Sequence, residues 1–246
     1  MTDTIDIALD ISPEWNTPNG HPNGGYLLRE MLRGIERALD VGTPLVAAVT
    51  YLAPPAFGAA TLHLECLKRG RTVQSLAGVV RQGDKPVLHL TVSYAQRTES
   101  ETKLFATPPD LPPVAECVDA RDGGLPEIGI FQHVRYRLPA APGWAVGEPT
   151  GDPTSQLWQK PAEGPTDFPT LGLLVDSFAP PVLELGHNSA TVQLTVHFHA
   201  LPQSDWVATK LTTRHVAGGF HEEDAELWDE HGTLVAQSRQ MAIVLP

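Results

Sequence analysis

The chain has 246 residues, 41% of them hydrophobic and 19% charged, so it can bury a substantial core and is not broadly disordered. A formal net charge of −12 argues against general binding to nucleic acid or to an anionic membrane surface. The two cysteines, Cys66 and Cys117, offer neither a disulfide framework nor metal-ligand spacing. The N-terminus, MTDTIDIALDIS, lacks a basic segment followed by an apolar run, and no apolar stretch approaches the roughly 20 residues that span a bilayer. The expected compartment is the cytoplasm.

Between His21 and Leu39, the residues Leu27, Leu28, Met31, Leu32, Ile35 and Leu39 recur at the spacing of an amphipathic helix. That helix opens on Asn23-Gly24-Gly25, although a glycine inside a helix costs about 1 kcal/mol relative to alanine. Either a turn needs glycine there, or something comes close to the backbone. LVAAVTYLAPPAFG, ATLHLECLKRGRTVQSLAGVVRQG and KPVLHLTVSYAQ come next, partly alternating and punctuated by Pro54-Pro55, Arg69-Gly70 and Gly83-Asp84. They predict an antiparallel meander. Residues 98–126 are proline-rich and polar, which predicts a linker.

Beyond it, IFQHVRYRL and SQLWQKP predict strands, and FPTLGLLVDSF a second apolar helix, capped by Thr166 or Asp167 and stopped by Pro180-Pro181. ATVQLTVHFHALP, DWVATKLTTRHVAG, GFHEEDAELWDE and TLVAQSRQMAIVL supply further strands. A fixed offset of 147 carries Gly25 to Gly172, Leu27 to Leu174, Tyr51 to Phe198, Pro55 to Pro202 and Val87 to Leu234. The expectation is an α+β protein of two tandem units, residues 1–97 and 127–246, each a curved antiparallel sheet wrapped on one helix.

Within such a repeat, differences are informative. Asp176, Thr191 and Gln240 fall opposite Arg29, Pro44 and Ser93, so the second unit alone holds a carboxylate, a hydroxyl and an amide at these places. Asn23-Gly24-Gly25 falls opposite Thr170-Leu171-Gly172, so the double glycine belongs to the first unit only. Asp176 interrupts the apolar LGLLVDSF, where a buried charge needs partners.

The residues NGGYLLREML, YLAPPAFG, TPPDLPP, SQLWQKP, LLVDSFAPPVLELG, ATVQLTVHFHALPQSDW and GTLVAQSRQMAIVL together resemble the acyl-CoA thioesterase II family, as a divergent member. The resemblance implies a double hotdog fold and catalytic positions at Asp176, Thr191 and Gln240. It implies hydrolysis of an acyl-CoA thioester to a carboxylic acid and CoA, without a cofactor. Asp176 would polarise a water that Thr191 and Gln240 help to hold, with hydrogen bonds from those two opposing the rise that burial gives its pKa. The helix start at Gly24, Gly25 and Tyr26 would receive the thioester oxygen on its amides. Lys68, Arg69, Arg71 and Arg81 are the candidate cations for the CoA phosphates, and open sheet edges favour a homodimer or larger assembly.

Other signals are weaker. His197 and His199 share one face of a strand but have no third metal ligand at a recognisable spacing. HEEDAELWDEHG predicts a solvated hairpin. The alternatives to a thioesterase are a non-catalytic acyl-CoA or lipid binder and a hotdog hydratase or dehydratase. The latter relies on a histidine at the helix, and neither apolar helix has an internal one.

Overall fold

The computed structural model describes residues 4–98, 100–122, 124–125 and 129–245. The chain opens with β1 (Thr4–Ile11), a strand that the sequence patterning did not predict, and a 3-10 turn at Pro13–Trp15. Next come α1 (Gly24–Ala38), β2 (Thr43–Tyr51), β3 (Gly58–Arg69), β4 (Val73–Gln82) and β5 (Lys85–Ala95). Part of the expected linker is structured: after an exposed run it forms a 3-10 turn at Val114–Glu116 and the short β6 (Val118–Asp119). Its expected end at residue 126 lies outside the described residues. IFQHVRYRL is not all strand, since α2 (Ile130–His133) precedes β7 (Val134–Leu138).

The remaining elements are β8 (Thr154–Pro161), α3 (Phe168–Leu174), β9 (Asn188–Phe198), β10 (Val207–Thr212), β11 (Val216–Ala217), β12 (Phe220–Asp229) and β13 (Leu234–Leu245). Among the described residues the strands form one 13-stranded sheet in the order β1-β3-β4-β5-β2-β9-β13-β12-β10-β8-β7-β6, with β11 on β12. Its pairings are antiparallel, including the central pair of β2 with β9. Outward from that pair, β2-β5-β4-β3-β1 on one side is matched by β9-β13-β12-β10-β8 on the other.

Both helices belong to one contiguous apolar core with the inward residues of the strands. Leu28, Met31, Leu32 and Ile35 of α1 and Leu171 and Leu173 of α3 are fully buried. Each such side chain contributes about 1.5–3 kcal/mol by leaving water. The two helices meet at Gly172, where a Cβ would lie 3.3 Å from Leu28 Cδ2. No helix among the described residues is long and apolar enough to cross a membrane.

The short α3 sets the position of the turn at its C-terminal end. Asp167 caps its start, accepting from the Thr170 amide at 2.8 Å. The helix stops at Leu174, so Asp176 lies in the turn just past it rather than inside it, which corrects the sequence-based expectation. Side chains from elsewhere satisfy the carbonyls left open by this early stop. Gln159 Nε2 donates to Leu174 O at 2.9 Å, Tyr136 Oη to Ser177 O at 2.8 Å, and Asn23 Nδ2 to Asp176 O at 2.7 Å. Ser177 Oγ donates to Gln159 Oε1 at 2.7 Å. Gln159 is fully buried, so Gln159→Leu would leave the Leu174 carbonyl and the Ser177 hydroxyl only the longer 3.3 Å bond between them. We expect a loss of about 2–4 kcal/mol for those two groups, measured by urea denaturation. A loss below about 1 kcal/mol would show that the turn is held by other means.

Candidate active site

Neither Gly24 nor Gly25 has a positive φ, so space rather than backbone conformation requires them. A Cβ on Gly25 would lie 2.6 Å from Leu173 O, and one on Gly24 would lie 2.7 Å from Tyr51 Oη and 2.8 Å from Asp176 Oδ2. The start of α1 thus abuts the end of α3. Asn23 caps α1, its Oδ1 accepting from the Tyr26 amide at 2.8 Å. The Gly25 amide donates to Asp176 Oδ2 at 2.7 Å.

Two amides expected to receive a substrate oxygen are therefore engaged within the chain, Gly25 with Asp176 and Tyr26 with Asn23. The Tyr26 side chain is buried and structural: its Oη accepts from Ser12 N at 2.9 Å and donates to Asp10 O at 3.3 Å. Gly24, as the first residue of α1, has an amide with no acceptor inside the helix.

Thr191 and Gln240 lie on neighbouring strands, β9 and β13, and are joined to each other rather than to Asp176. Thr191 Oγ1 donates to Gln240 Oε1 at 2.8 Å, and Gln240 Nε2 donates to Glu223 Oε1 at 2.8 Å. Glu223 is the member of this chain that the sequence reading missed. It sits in the acidic run expected to be a solvated hairpin, yet it is 3% exposed, and His221 and Asp229 of the same strand are also buried. Two signals pointed to it. Residues 221, 223, 225 and 227 alternate as one face of β12, and Ala225 and Leu227 make that face apolar. Under the offset of 147, Glu223 falls opposite Leu76, which is 1% exposed.

The electrostatics tie these groups together. Burial pushes the Asp176 carboxyl up to about 6, and the Gly25 amide holds it back. Burial, and then the charge of Asp176, push Glu223 up to about 8, with the Gln240 amide opposing. Glu223 Oε2 is buried without a hydrogen-bond partner, and so is Tyr51 Oη. Burial and the Asp176 charge raise the phenols of Tyr51 and Tyr136 well above their ordinary value. Tyr51, which the sequence reading used only as a repeat marker, thus stands beside Gly24 and Asp176.

The four candidate phosphate-binding cations do not form one cluster. Lys68, Arg69 and Arg71 are exposed at the β3–β4 turn, whereas Arg81 pairs with Thr61 at the far end of the same hairpin. At about 3.3 Å per residue, the separation is on the order of 25 Å. Strand register places Arg81 at the end of the sheet that carries Tyr51, and its guanidinium donates to Asp84 O at 2.7 Å. Of the two histidines, His199 lies just past β9, with Nε2 3.1 Å from Gln237 Oε1.

Residues 11–95 match the acyl-CoA thioesterase N-terminal domain, and residues 108–244 match the acyl-CoA thioesterase C-terminal domain. The chain belongs to the acyl-CoA thioesterase family, as a divergent member resembling thioesterase II. An uncharacterised protein of Mycobacterium tuberculosis (strain ATCC 25618 / H37Rv) is 25% identical over 224 residues, which are 82% of this chain and 76% of that protein. Among solved structures, a proposed thioesterase II from Thermobifida fusca YX has a TM-score of 0.88 at 27% identity, covering 98% of this chain and 92% of the other. A hot dog fold protein of unknown function from Alicyclobacillus acidocaldarius also has a TM-score of 0.88, at 21% identity, covering 98% of this chain and 93% of the other. The large antiparallel sheet with few helices is a hotdog fold.

The raised carboxyl of Asp176 has a consequence for stability. Its contribution is full below the unfolded value of 3.8 and is lost as pH rises through about 6. Asp176→Asn keeps an oxygen for the Gly25 amide and cannot ionise. Its Tm relative to wild type should therefore climb by a few degrees between about pH 4 and pH 7.5. A Tm difference that does not change with pH would show that Asp176 is not held in a desolvated place.

Proposed function

We propose that the chain hydrolyses acyl-CoA thioesters to a carboxylic acid and free CoA, using two tandem hotdog units that each wrap a curved sheet around a helix. Two features support the tandem reading. Strand order is matched on the two sides of the β2–β9 pair, and adding 147 to the bounds of β4 returns the bounds of β12. The observation that carries the chemistry is Asp176: a partly buried carboxylate, raised toward neutrality, in a family of thioesterases, anchored on the helix start of the other unit.

In this reading Asp176 takes a proton from a water that attacks the thioester carbon. Thr191 directs its own proton to Gln240, so its oxygen lone pairs are left to accept from that water. The Gly24 amide and the Tyr51 hydroxyl, the latter buried and unpartnered, would receive the developing oxyanion. Collapse of the tetrahedral intermediate breaks the C–S bond, and the CoA thiolate takes up the proton that Asp176 removed from the water, which restores the carboxylate. Arg81 is the cation best placed for a CoA phosphate, lying at the same end of the sheet as Tyr51.

The test is thiol release from acyl-CoAs of graded chain length. Wild type should release CoA from at least one, and Asp176→Asn should lower kcat/KM by about 10²–10⁴-fold, the usual loss of a general base. Activity should fall as pH drops through about 6, where Asp176 takes up a proton. Folded wild-type protein that releases no thiol from any chain length would remove the hydrolase reading. Acyl-CoA binding without release would then favour a binder.

A further inference from the structure

The two carboxyl groups of the site are not equivalent. Asp176 Oδ2 accepts from the Gly25 amide, at a helix start where open N–H groups and the dipole favour negative charge. Glu223 has one oxygen on Gln240, while the other, Oε2, is buried with no donor. The charges that raise Glu223 are acidic, Asp176 from the turn after α3 and Glu222 and Asp224 from its own strand, while His221 on the same face of β12 is held toward its neutral form by burial. The neutral Gln240 amide acts in the opposite direction. The Asp176 charge also acts on two buried phenols, Tyr51 and Tyr136, which supply no positive charge.

Building on the thioesterase reading, we propose that Glu223 is a positioning residue that keeps its proton through neutral pH, so that Asp176 carries the single negative charge of the pair and Gln240 stays locked between Glu223 and Thr191. Like charges brought together in a desolvated place cannot both ionise easily, and the geometry decides which one does. The carboxyl with an amide donor takes the charge, and the one with a bare oxygen holds the proton. The values agree with this order, about 6 for Asp176 and about 8 for Glu223. Glu223 Oε1 meanwhile fixes Gln240 with its nitrogen toward Glu223 and its oxygen toward Thr191, which in turn orients the Thr191 hydroxyl. Ionising Glu223 places a second buried negative charge beside a reaction that already builds charge on the thioester oxygen.

The expected signature is an alkaline loss of activity belonging to Glu223, separate from the acid loss belonging to Asp176. Profiles of kcat/KM from about pH 5 to about pH 10 should be two-limbed in wild type, and Glu223→Gln should lose the alkaline limb near 8 while keeping the acid one. The shape of the profile is the readout, since a merely structural residue would lower the curve without straightening it. An unchanged alkaline limb in folded Glu223→Gln overturns the proposal. A second measurement decides the matter if that variant does not fold, or if wild type shows no turnover. Carbon-13 spectra of glutamate-labelled protein should contain a carboxyl that titrates above neutrality and moves to lower pH in Asp176→Asn. Glu36, also raised to about 7, owes its shift to burial and Asp167 and should not move. If no glutamate responds to Asp176→Asn, Glu223 does not face Asp176 and the proposal fails. Absence of turnover with that response present would overturn the hydrolase reading alone.

Discussion

The bond from the Gly25 amide to the Asp176 carboxylate holds the site together. Each partner answers a need of the other. The first amides of a helix have no acceptor within it, and a desolvated carboxylate is unstable without a donor. For the two to meet, the start of α1 must approach the end of α3 so closely that a Cβ at Gly25 would fall 2.6 Å from a carbonyl oxygen. The double glycine is thus the consequence of a contact between helices. Because α3 stops early, its last carbonyl and those of the turn beyond it need donors from outside, and Gln159, Asn23 and Tyr136 supply them. The same three side chains that finish the helix thereby hold the turn that carries the acid.

The two sides of the sheet use corresponding positions differently. Asp176 faces Arg29 under the offset, and Arg29 is spent on packing: its guanidinium lies 3.8 Å over the Trp15 ring and bonds Glu30. Gln240 faces Ser93, which pairs with Ser75 at 3.0 Å, and Thr191 faces Pro44. Chemistry-bearing residues therefore accumulate on one side of the central β2–β9 pair. From the other side come the glycine-led helix start and the Tyr51 hydroxyl.

Sequence patterning discloses the features set by local forces. The helix over Gly24–Ala38 and the strands of the meander obey apolar periodicity, which needs no knowledge of the partner. Asp176 stood out because a charge within LGLLVDSF contradicts its surroundings, and Thr191 and Gln240 because their counterparts are unlike them. β1 was overlooked although Ile5, Ile7, Leu9 and Ile11 alternate, because its interleaved acids read as a polar terminus. The direction of the Thr191–Gln240–Glu223 chain was not legible at all. It depends on strand register between β12 and β13, which sets Glu223 directly across from Gln240. Likewise, the engagement of the Gly25 amide depends on a contact spanning 151 residues of chain.

Glu223 illustrates why a composition argument can mislead. In HEEDAELWDEHG the acids outnumber the apolar residues, and only period-two alternation separates the inward glutamate from its half-buried neighbours Glu222 and Asp224. The scaffold does not require an acid at that point. At the corresponding position of β4 it accepts Leu76, buried to 1% exposure, in the ordinary manner of a strand interior. Burying a carboxyl with one bare oxygen where a leucine would pack lowers stability, and departures of this kind from local consistency concentrate at functional sites. The same reasoning applies to Tyr51, whose hydroxyl has no partner and whose counterpart is Phe198, a side chain with nothing to satisfy. Both unpartnered oxygens belong to residues whose charge or phenol is coupled to Asp176. The fold thus leaves polar oxygens of Glu223 and Tyr51 unsatisfied where the Asp176 charge reaches them.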